Sequence, residues 1–330
     1  MAGFYKNSAM IKKLTICIPT YNRPKALQKT LFSLMAQDLR EVHEVVVLDN
    51  ASNYDVKGLV DNLNSDKIRL IKHKYNVGMG INLMMPMLIT ESKWLWILSD
   101  DDEIAFDAIS LIIRKITQSI PKTGVIKFGR DGSFNKPAIV DSLEGYIDYY
   151  CSEKNPRRGD LVFISTYVFN LDVVRENIPQ GFEYSYSLLG FLVPVIIGLN
   201  NKKIEVEFCS ASLVEYCPPK DDGWCRISGA EKISTIAHLP VSLSCNYRKR
   251  FLDILMPLSW HGLIVKLANS DDAVGRQHVL NAYFGIYRYY LPIYQRSLFL
   301  ILYGAVSTSL GRKSTRTFIG FYRRLKKFVS

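Results

Sequence analysis

The sequence predicts an α/β domain built on a mostly parallel central sheet with flanking helices, followed by a helical C-terminal extension. Three observations predict it. Short apolar runs of strand type alternate with helical stripes from Leu14 to Phe128, the pattern of βαβ units with right-handed crossovers. One of these runs, Trp94 to Leu98, is apolar throughout and opens directly into Ser99, Asp100, Asp101 and Asp102. That is a strand covered on both faces with polar groups at its carboxyl end, where open α/β sheets bind ligands. From about residue 228 onward only helix-like periodicity remains. The division expected is residues 1–226 for the sheet domain and 227–330 for a helical, basic C-terminal region.

The first strand is Leu14 to Pro19, ended by a proline and followed by Thr20, Tyr21, Asn22, Arg23 and Pro24. Pro24 suits the first position of a helix, which puts Asn22 or Arg23 at its mouth. Leu27, Leu31, Leu34 and Met35 then form the stripe of a helix over 26–37. Val45 to Leu48 is a second buried strand that ends in Asp49 and Asn50. A short helix over 56–63, a third strand over 68–71 and a helical stretch over 83–89 follow. Gly78-Met79-Gly80 precedes that stretch and reads as its opening turn. After the Trp94–Leu98 strand come a helix over 106–116 and a fifth strand over 124–128. Further on, Phe163 to Phe169 reads as a strand, Asn170 as the cap of a short helix over 172–176, and an apolar helix follows GFEYSYSLLGFL and runs to Leu199.

Composition narrows the function. At 330 residues and 48% hydrophobic the chain can bury a large core. The opening MAGFYKNSAMIKK lacks the apolar segment of a secretory signal, so a cytoplasmic location is expected. Six cysteines form no Cys-x-x-Cys pair, which disfavours zinc and redox motifs and leaves free thiols. The net charge is +11, yet no Asp or Glu follows Asp272 and ten Lys and Arg do. The first 272 residues therefore carry only +1, and the basicity belongs to the C-terminal region.

Three polar loops should open on one edge of the sheet: Thr20–Arg23, Asp49–Asn50 and Ser99–Asp102. Three adjacent aspartates repel one another unless a cation, a donor network or solvent offsets the charge. A solvated turn is the plainer reading of such a cluster alone. Fed by a fully apolar strand, it reads as a metal–phosphate site, and a nucleotide is the natural ligand. A dinucleotide-binding fingerprint would place glycines after the first strand, where this chain has none. No G-x-x-x-x-G-K-[ST] loop is present either.

The stretches TICIPTYNRPKALQKTLFSLMAQ, EVVVLDNAS, KYNVGMGINLM and WLWILSDDDEI, in that order and spacing, resemble the nucleotide-sugar half of family 2 glycosyltransferases. The resemblance covers about the first 130 residues. It implies a GT-A fold, a nucleotide-diphosphate sugar donor, a divalent cation (Mn or Mg) and inverting transfer. Residue by residue it implies that Pro19, Thr20, Tyr21 and Arg23 surround base and ribose, and that Asp49, with Asn50 beside it, contacts the base. It also implies that Asp100 or Asp101 faces ribose and metal and that Asp102, with Asp100, binds the cation. Arg23 also reads as a solvated residue of the helix start. Two departures from the commonest pattern stand out. Asn50 follows Asp49 where a second acid is usual, and Ser99 stands where an aspartate is common. A serine-led triplet resembles bacterial surface-polysaccharide transferases, which points to a saccharide or lipid-linked acceptor. Inverting transfer needs a base near the acceptor hydroxyl. The family's usual acidic pair is missing, which leaves Glu183 and, in YCPPKDDGWC, Asp222 with its neighbour Asp221 as candidates. A nucleotidyltransferase and a non-catalytic nucleotide-sugar-binding module are the alternatives.

In the tail, residues 291–310 are apolar but broken by Pro292, Gln295, Arg296 and Gly304, too short a run for a membrane span. Phe318, Phe321, Tyr322, Leu325, Phe328 and Val329 fall at helical spacing with Arg and Lys opposite. That pattern fits docking of 312–330 on an anionic membrane surface, peripheral at the inner face of the cell membrane. It also fits an ordinary helix packing its stripe on the core. No nucleic-acid motif accompanies the charge, so no nucleic-acid partner is expected.

Overall fold

The computed structural model describes residues 14–130, 136–152, 160–215, 231–255, 260–270 and 272–306, and a few positions between 308 and 317. The chain divides into two compact units. The first comprises residues 1–146, 162–185 and 190–220, and the second residues 147–161, 186–189 and 221–330.

The first unit is a nine-stranded mixed sheet with flanking helices. Its strands are β1 (Leu14–Thr20), β2 (Val42–Asp49), β3 (Ile68–Lys72), β4 (Trp94–Ile97), β5 (Glu103–Ile104), β6 (Thr123–Arg130), β7 (Ala138–Val140), β8 (Tyr167–Asn170) and β9 (Glu205–Glu215). The order is β3-β2-β1-β4-β8-β6-β9-β5, with β7 paired to β9. The half β3-β2-β1-β4 is parallel. All seven residues of β1 and all four of β4 are buried, as a strand covered on both faces must be. β8 enters antiparallel between β4 and β6, so the sheet is mixed, with its parallel half as predicted. Parallel pairing resumes between β6 and β9, with register shifts near Gly129.

Helix α1 (Pro24–Met35) buries Leu27, Leu31 and Leu34 and begins on Pro24. Helix α2 (Val56–Asp61) is capped by Asp55, which accepts from Gly58 N–H. The helical stretch predicted over 83–89 is two pieces, α3 (Met79–Met84) and α4 (Pro86–Ile89). Pro86 has no N–H to give the preceding turn, so it starts a new helix. The opening turn at Gly78 has φ +85°, which a residue without Cβ adopts freely. Helix α5 (Ala108–Gln118) begins later than predicted, leaving Phe106 94% exposed.

The run 163–169 is not one strand. Short 3₁₀ turns occupy Asp160–Val162 and Ile164–Thr166, and β8 starts only at Tyr167. Thr166 Oγ1 donates to the Phe163 carbonyl at 2.6 Å, a local bond that competes with the sheet ladder. Asn170 precedes α7 (Leu171–Val174) without capping it, because its Nδ2 donates instead to the Thr123 carbonyl at 2.9 Å.

The rest of the first unit holds α6 (Leu143–Cys151), whose last residues count with the second unit, α8 (Ile178–Glu183) and α9 (Val193–Asn200). In the second unit α10 (Cys245–Leu255), α11 (Trp260–Ala268), α12 (Ala273–Ala282), a π turn over Tyr283–Tyr287, α13 (Arg288–Tyr290) and α14 (Ile293–Val306) follow one another. Among the described residues no helix is long and apolar enough to cross a membrane.

Candidate functional site

The carboxyl ends of the four parallel strands gather the predicted loops. Thr20 and Asp49 are register partners in adjacent strands, so their neighbours share one edge. Both ends of the acidic loop are fixed. β4 holds its start, and β5, paired with the last residues of β9, holds its finish. Ala105 N–H also donates to the Leu213 carbonyl at 2.8 Å. Residues 98–102 thus span a short gap between two anchored strands, which presents the three carboxylates together despite their repulsion.

Each carboxylate has its own surroundings. Asp100 is buried; its Oδ2 accepts from Thr20 Oγ1 at 2.7 Å and its Oδ1 from Arg23 Nη1 at 3.1 Å. Its backbone carbonyl accepts from Thr30 Oγ1 at 3.0 Å. Asp101 accepts from Arg23 Nη1 at 2.6 Å and from Ser99 Oγ at 2.6 Å. One guanidinium therefore bridges two of the three acids. Ser99 supplies a donor in place of a fourth charge.

Asp102 differs. It is 6% exposed and forms no ion pair among the described residues. Burial pushes its carboxyl up to about 7, with a hydrogen bond from Ser165 pulling the other way, Asp101 raising it further and the Arg130 charge lowering it. Burial also raises Asp100, to about 6, against the opposing pull of Thr20 and Arg23. A carboxylate desolvated this strongly needs positive charge to ionise at neutral pH.

The second loop turns tightly. Ser52 N–H donates to Asp49 Oδ1 at 2.8 Å across Ala51, whose φ is +63°, a strained value for a residue with a Cβ. Asp49 Oδ2 is buried and has no hydrogen bond among the described residues; the Lys72 ammonium lies 3.4 Å from it. That oxygen is thus an acceptor left without a hydrogen bond at the carboxyl end of β2. The neighbouring loops lock onto this turn. Asn22 N–H donates to Ser52 Oγ at 2.9 Å, and Asn22 Oδ1 accepts from Asn53 N–H at 2.9 Å. Asn22 has φ 55°, a conformation asparagine tolerates. Asn50 N–H donates to the Thr20 carbonyl at 2.9 Å. The Asn50 side chain donates to Asn76 Oδ1 and accepts from Val77 N–H, each at 2.9 Å.

Of the sequence candidates, the structure brings together Thr20, Arg23, Asp49, Asn50, Asp100, Asp101 and Asp102. Pro19 is the penultimate residue of β1, and Tyr21 lies beside them with its ring exposed. Arg23 is engaged with Asp100 and Asp101, not a solvated residue of the helix start. Glu183 ends α8, exposed, and makes no hydrogen bond or ion pair with the acidic loop among the described residues. Asp221 and Asp222 lie outside the described residues, as does the helical stripe 318–329.

Sequence reading missed four participants. Ser165 is fully buried, and its Oγ accepts from Ser99 N–H at 2.9 Å while its carbonyl accepts from Trp96 Nε1 at 2.8 Å. Ser165 and Thr166, polar residues inside the apolar run FISTYVF, were the available signal. Arg130 at the end of β6, Ser52 and Lys72 complete the group; Ser52 lay in plain view within EVVVLDNAS.

The sequence model of glycosyl transferase family 2 matches residues 15–167, the stretch that carries every loop just described. Residues 15–167, just under half of the chain, are thus similar to glycosyltransferase family 2. The GalNAc(5)-diNAcBac-PP-undecaprenol beta-1,3-glucosyltransferase of Campylobacter jejuni is 30% identical over 136 residues. That match covers 40% of this chain and 44% of the relative. The abequosyltransferase RfbV of Salmonella typhimurium is 27% identical over 103 residues, 30% of this chain and 31% of its own length. The chain thus spans less than half the length of these curated relatives. Among solved structures, S. aureus TarS 1–349 in complex with UDP-GlcNAc superposes with a TM-score of 0.62 at 16% identity, covering 94% of this chain and 92% of that one. That likeness is one of fold, and it extends the GT-A architecture beyond the family match.

Proposed function

We propose that the chain is an inverting glycosyltransferase that moves a sugar from a nucleotide-diphosphate sugar to an acceptor hydroxyl. The acceptor we infer is a lipid-linked oligosaccharide in surface polysaccharide (O-antigen or capsule) synthesis. One observation carries the reading. Four loops at the carboxyl edge of the parallel strands are hydrogen-bonded together around an acceptor without a hydrogen bond at Asp49 and a desolvated carboxylate at Asp102. Asp49 would accept from the base, Thr20 and Asp100 would meet the ribose, and Arg23 would hold Asp100 and Asp101 in place. The named activity of the C. jejuni relative, on an undecaprenol-linked saccharide, supports the acceptor class.

The residues fit a divalent cation such as Mn or Mg. Asp102 and Asp100 supply hard oxygen donors, and both are carboxyls whose burial opposes ionisation. Among the described residues no cluster of three side chains could hold a metal. One or two carboxylates completed by phosphate oxygens and water is the arrangement such ions take with nucleotides. When bound, the cation neutralises the charge that develops on the leaving diphosphate. The acceptor oxygen attacks the anomeric carbon from the opposite face, and a carboxylate takes its proton; Glu183 and Asp222 are the proposed bases. The enzyme is placed in the cytoplasm, peripheral at the inner face of the cell membrane, with the basic stretch 312–330 contributing to the attachment.

A panel of nucleotide sugars with Mn²⁺ or Mg²⁺, read by thermal shift and by release of the nucleotide diphosphate, tests the reading. Metal-dependent turnover by wild type and its loss in Asp102→Ala are expected. No turnover with any donor would leave a non-catalytic binding module. Asp222→Asn and Glu183→Gln, compared in the same assay, identify the base by which one lowers kcat with donor binding retained.

A further inference from the structure

Helix α14 inverts the ordinary distribution of side chains. A helix at the surface of a globular protein normally turns charge to solvent and an apolar stripe to the core. In α14 the solvent side carries Ile293, Tyr294, Ser297, Leu298, Leu300, Ile301 and Ala305, all exposed. Ile293 is 76% exposed and Ile301 67%. At 100° per residue these positions fall within one continuous arc of about 160°, and no charged residue lies on it. The opposite side is built for packing. Phe299 is fully buried and stacks on Tyr283 with ring centroids 4.3 Å apart, Val306 is fully buried, and Arg296 Nε donates to the Leu291 carbonyl at 2.7 Å. The helix is thus fixed within its unit by one side while the other presents contiguous apolar surface, which monomeric soluble proteins rarely leave bare.

The surroundings select the occupant. Phe284, Arg288 and Tyr289, just before the helix, are exposed, with the Arg288 guanidinium 4.7 Å from the Tyr289 ring centroid. Lys313 beyond it is exposed too. From Ala273 to the end the sequence has ten basic residues and no acidic one. An apolar face with a basic and aromatic border matches an anionic bilayer, where apolar side chains enter the headgroup boundary and Lys and Arg meet the lipid charge. Nucleic acid would instead need Lys and Arg on the contact face itself. A second copy would bring two uniformly basic regions together. With 14 residues, α14 is about 21 Å long, against a hydrocarbon core of about 30 Å. It can lie on a membrane but not span it.

We propose that the solvent face of α14 is a membrane-docking surface that lies in the headgroup region of an anionic bilayer. It rests on the proposed function for the presence of a membrane-bound acceptor, and it places the contact at 293–305, upstream of the basic stretch 312–330.

Flotation of the full chain with phosphatidylcholine vesicles, with and without phosphatidylglycerol, tests it. Wild type should float with the anionic vesicles and stay behind with the neutral ones. Leu298→Asp/Ile301→Asp, at exposed positions, should retain the wild-type melting temperature and nucleotide-sugar turnover but lose at least tenfold in vesicle binding. Phe106→Asp, a change at a still more exposed position in the sheet domain, should float as wild type does. A Tyr294→Trp chain reports the face directly, with quenching by brominated phosphatidylglycerol expected. Unchanged flotation of the double Asp variant overturns the proposal, and so does equal binding to neutral vesicles. Absence of quenching shows the face covered by the chain's own 318–330 segment or by a second copy, and it also overturns the proposal. Flotation without turnover on any donor would sink the enzyme reading and leave this surface standing.

Discussion

Thr20 Oγ1 donates to Asp100 Oδ2 at 2.7 Å across 80 residues of chain, tying the loop after the first strand to the loop after the fourth. The bond is buried, and it satisfies a carboxylate that burial drives toward the neutral form. Thr20→Val keeps the shape and removes the donor. Leaving that oxygen unsatisfied should cost about 1–3 kcal/mol and raise KM for the nucleotide sugar more than it lowers kcat. Thr20→Ser should restore both. Chemical denaturation and steady-state kinetics read the two effects, and a Val variant as stable as wild type would refute the account.

Arg23 holds two acids at once, Asp100 at 3.1 Å and Asp101 at 2.6 Å. Both bonds are made by one nitrogen, Nη1. A Lys ammonium carries its charge on a stem of different reach and without the rigid guanidinium plane, so Arg23→Lys should recover only part of what Arg23→Ala loses. With the guanidinium gone, the three acids face one another unshielded. Donor affinity should fall by about tenfold or more, the equivalent of one charge-assisted bond of about 1.5–3 kcal/mol. Titration calorimetry with the nucleoside diphosphate measures it; equal affinities for Lys and Arg would show that charge alone matters.

Ser165 sits between Ser99 N–H and the Asp102 carboxyl. It positions the carboxylate proposed to hold the cation without touching substrate itself. Removing such a supporting partner typically costs 10–100-fold in metal affinity. Ser165→Ala should therefore weaken Mn²⁺ binding in the presence of nucleoside diphosphate, read by electron paramagnetic resonance. Nucleotide binding without metal should change little. A Ser165→Ala chain with wild-type Mn²⁺ affinity would remove Ser165 from this role.

The raised carboxyls set the pH dependence of stability. Asp100 titrates near 6 and Asp102 near 7 in the fold, against an ordinary value of 3.8. Between about pH 4 and 7 the folded chain therefore holds protons that the unfolded chain releases, so these two groups make stability fall as pH rises through that window. The metal-free chain should melt at a lower temperature at pH 8 than at pH 5. Asp102→Asn should flatten the profile and raise the pH 8 melting temperature while lowering turnover by about a hundredfold or more, as loss of a cation ligand implies. Divalent cation with nucleoside diphosphate should flatten it too. A profile that rises from pH 5 to 8 in both wild type and variant would contradict the burial account.

The parallel half of the sheet and its acidic loops were legible in the sequence because each is a local pattern. Buried strands read as unbroken apolar runs, and LTICIP, VVVL and WLWIL each end where a polar loop must begin. Pro24 and Gly78 marked helix starts by their own backbone preferences. Where local rules compete, the reading slipped. FISTYVF has strand composition, but the Thr166 hydroxyl bond to Phe163 turns its first half into 3₁₀ geometry.

By itself the sequence determined the loops that bear the chemistry, their order along the chain and the location of the positive charge. Only the tertiary structure decided which groups meet. It inserted β8 antiparallel between β4 and β6, which brought Ser165 under the acidic loop, and it gave Arg23 to Asp100 and Asp101. It also turned the apolar side of α14 outward, where the sequence showed only an apolar stretch too broken to span a membrane. The reason is physical. Hydrophobic period and turn chemistry act over a few residues. Pairing between residues 66 to 80 positions apart depends on strand order and on which face of an element finds a partner, and no short stretch of sequence encodes either.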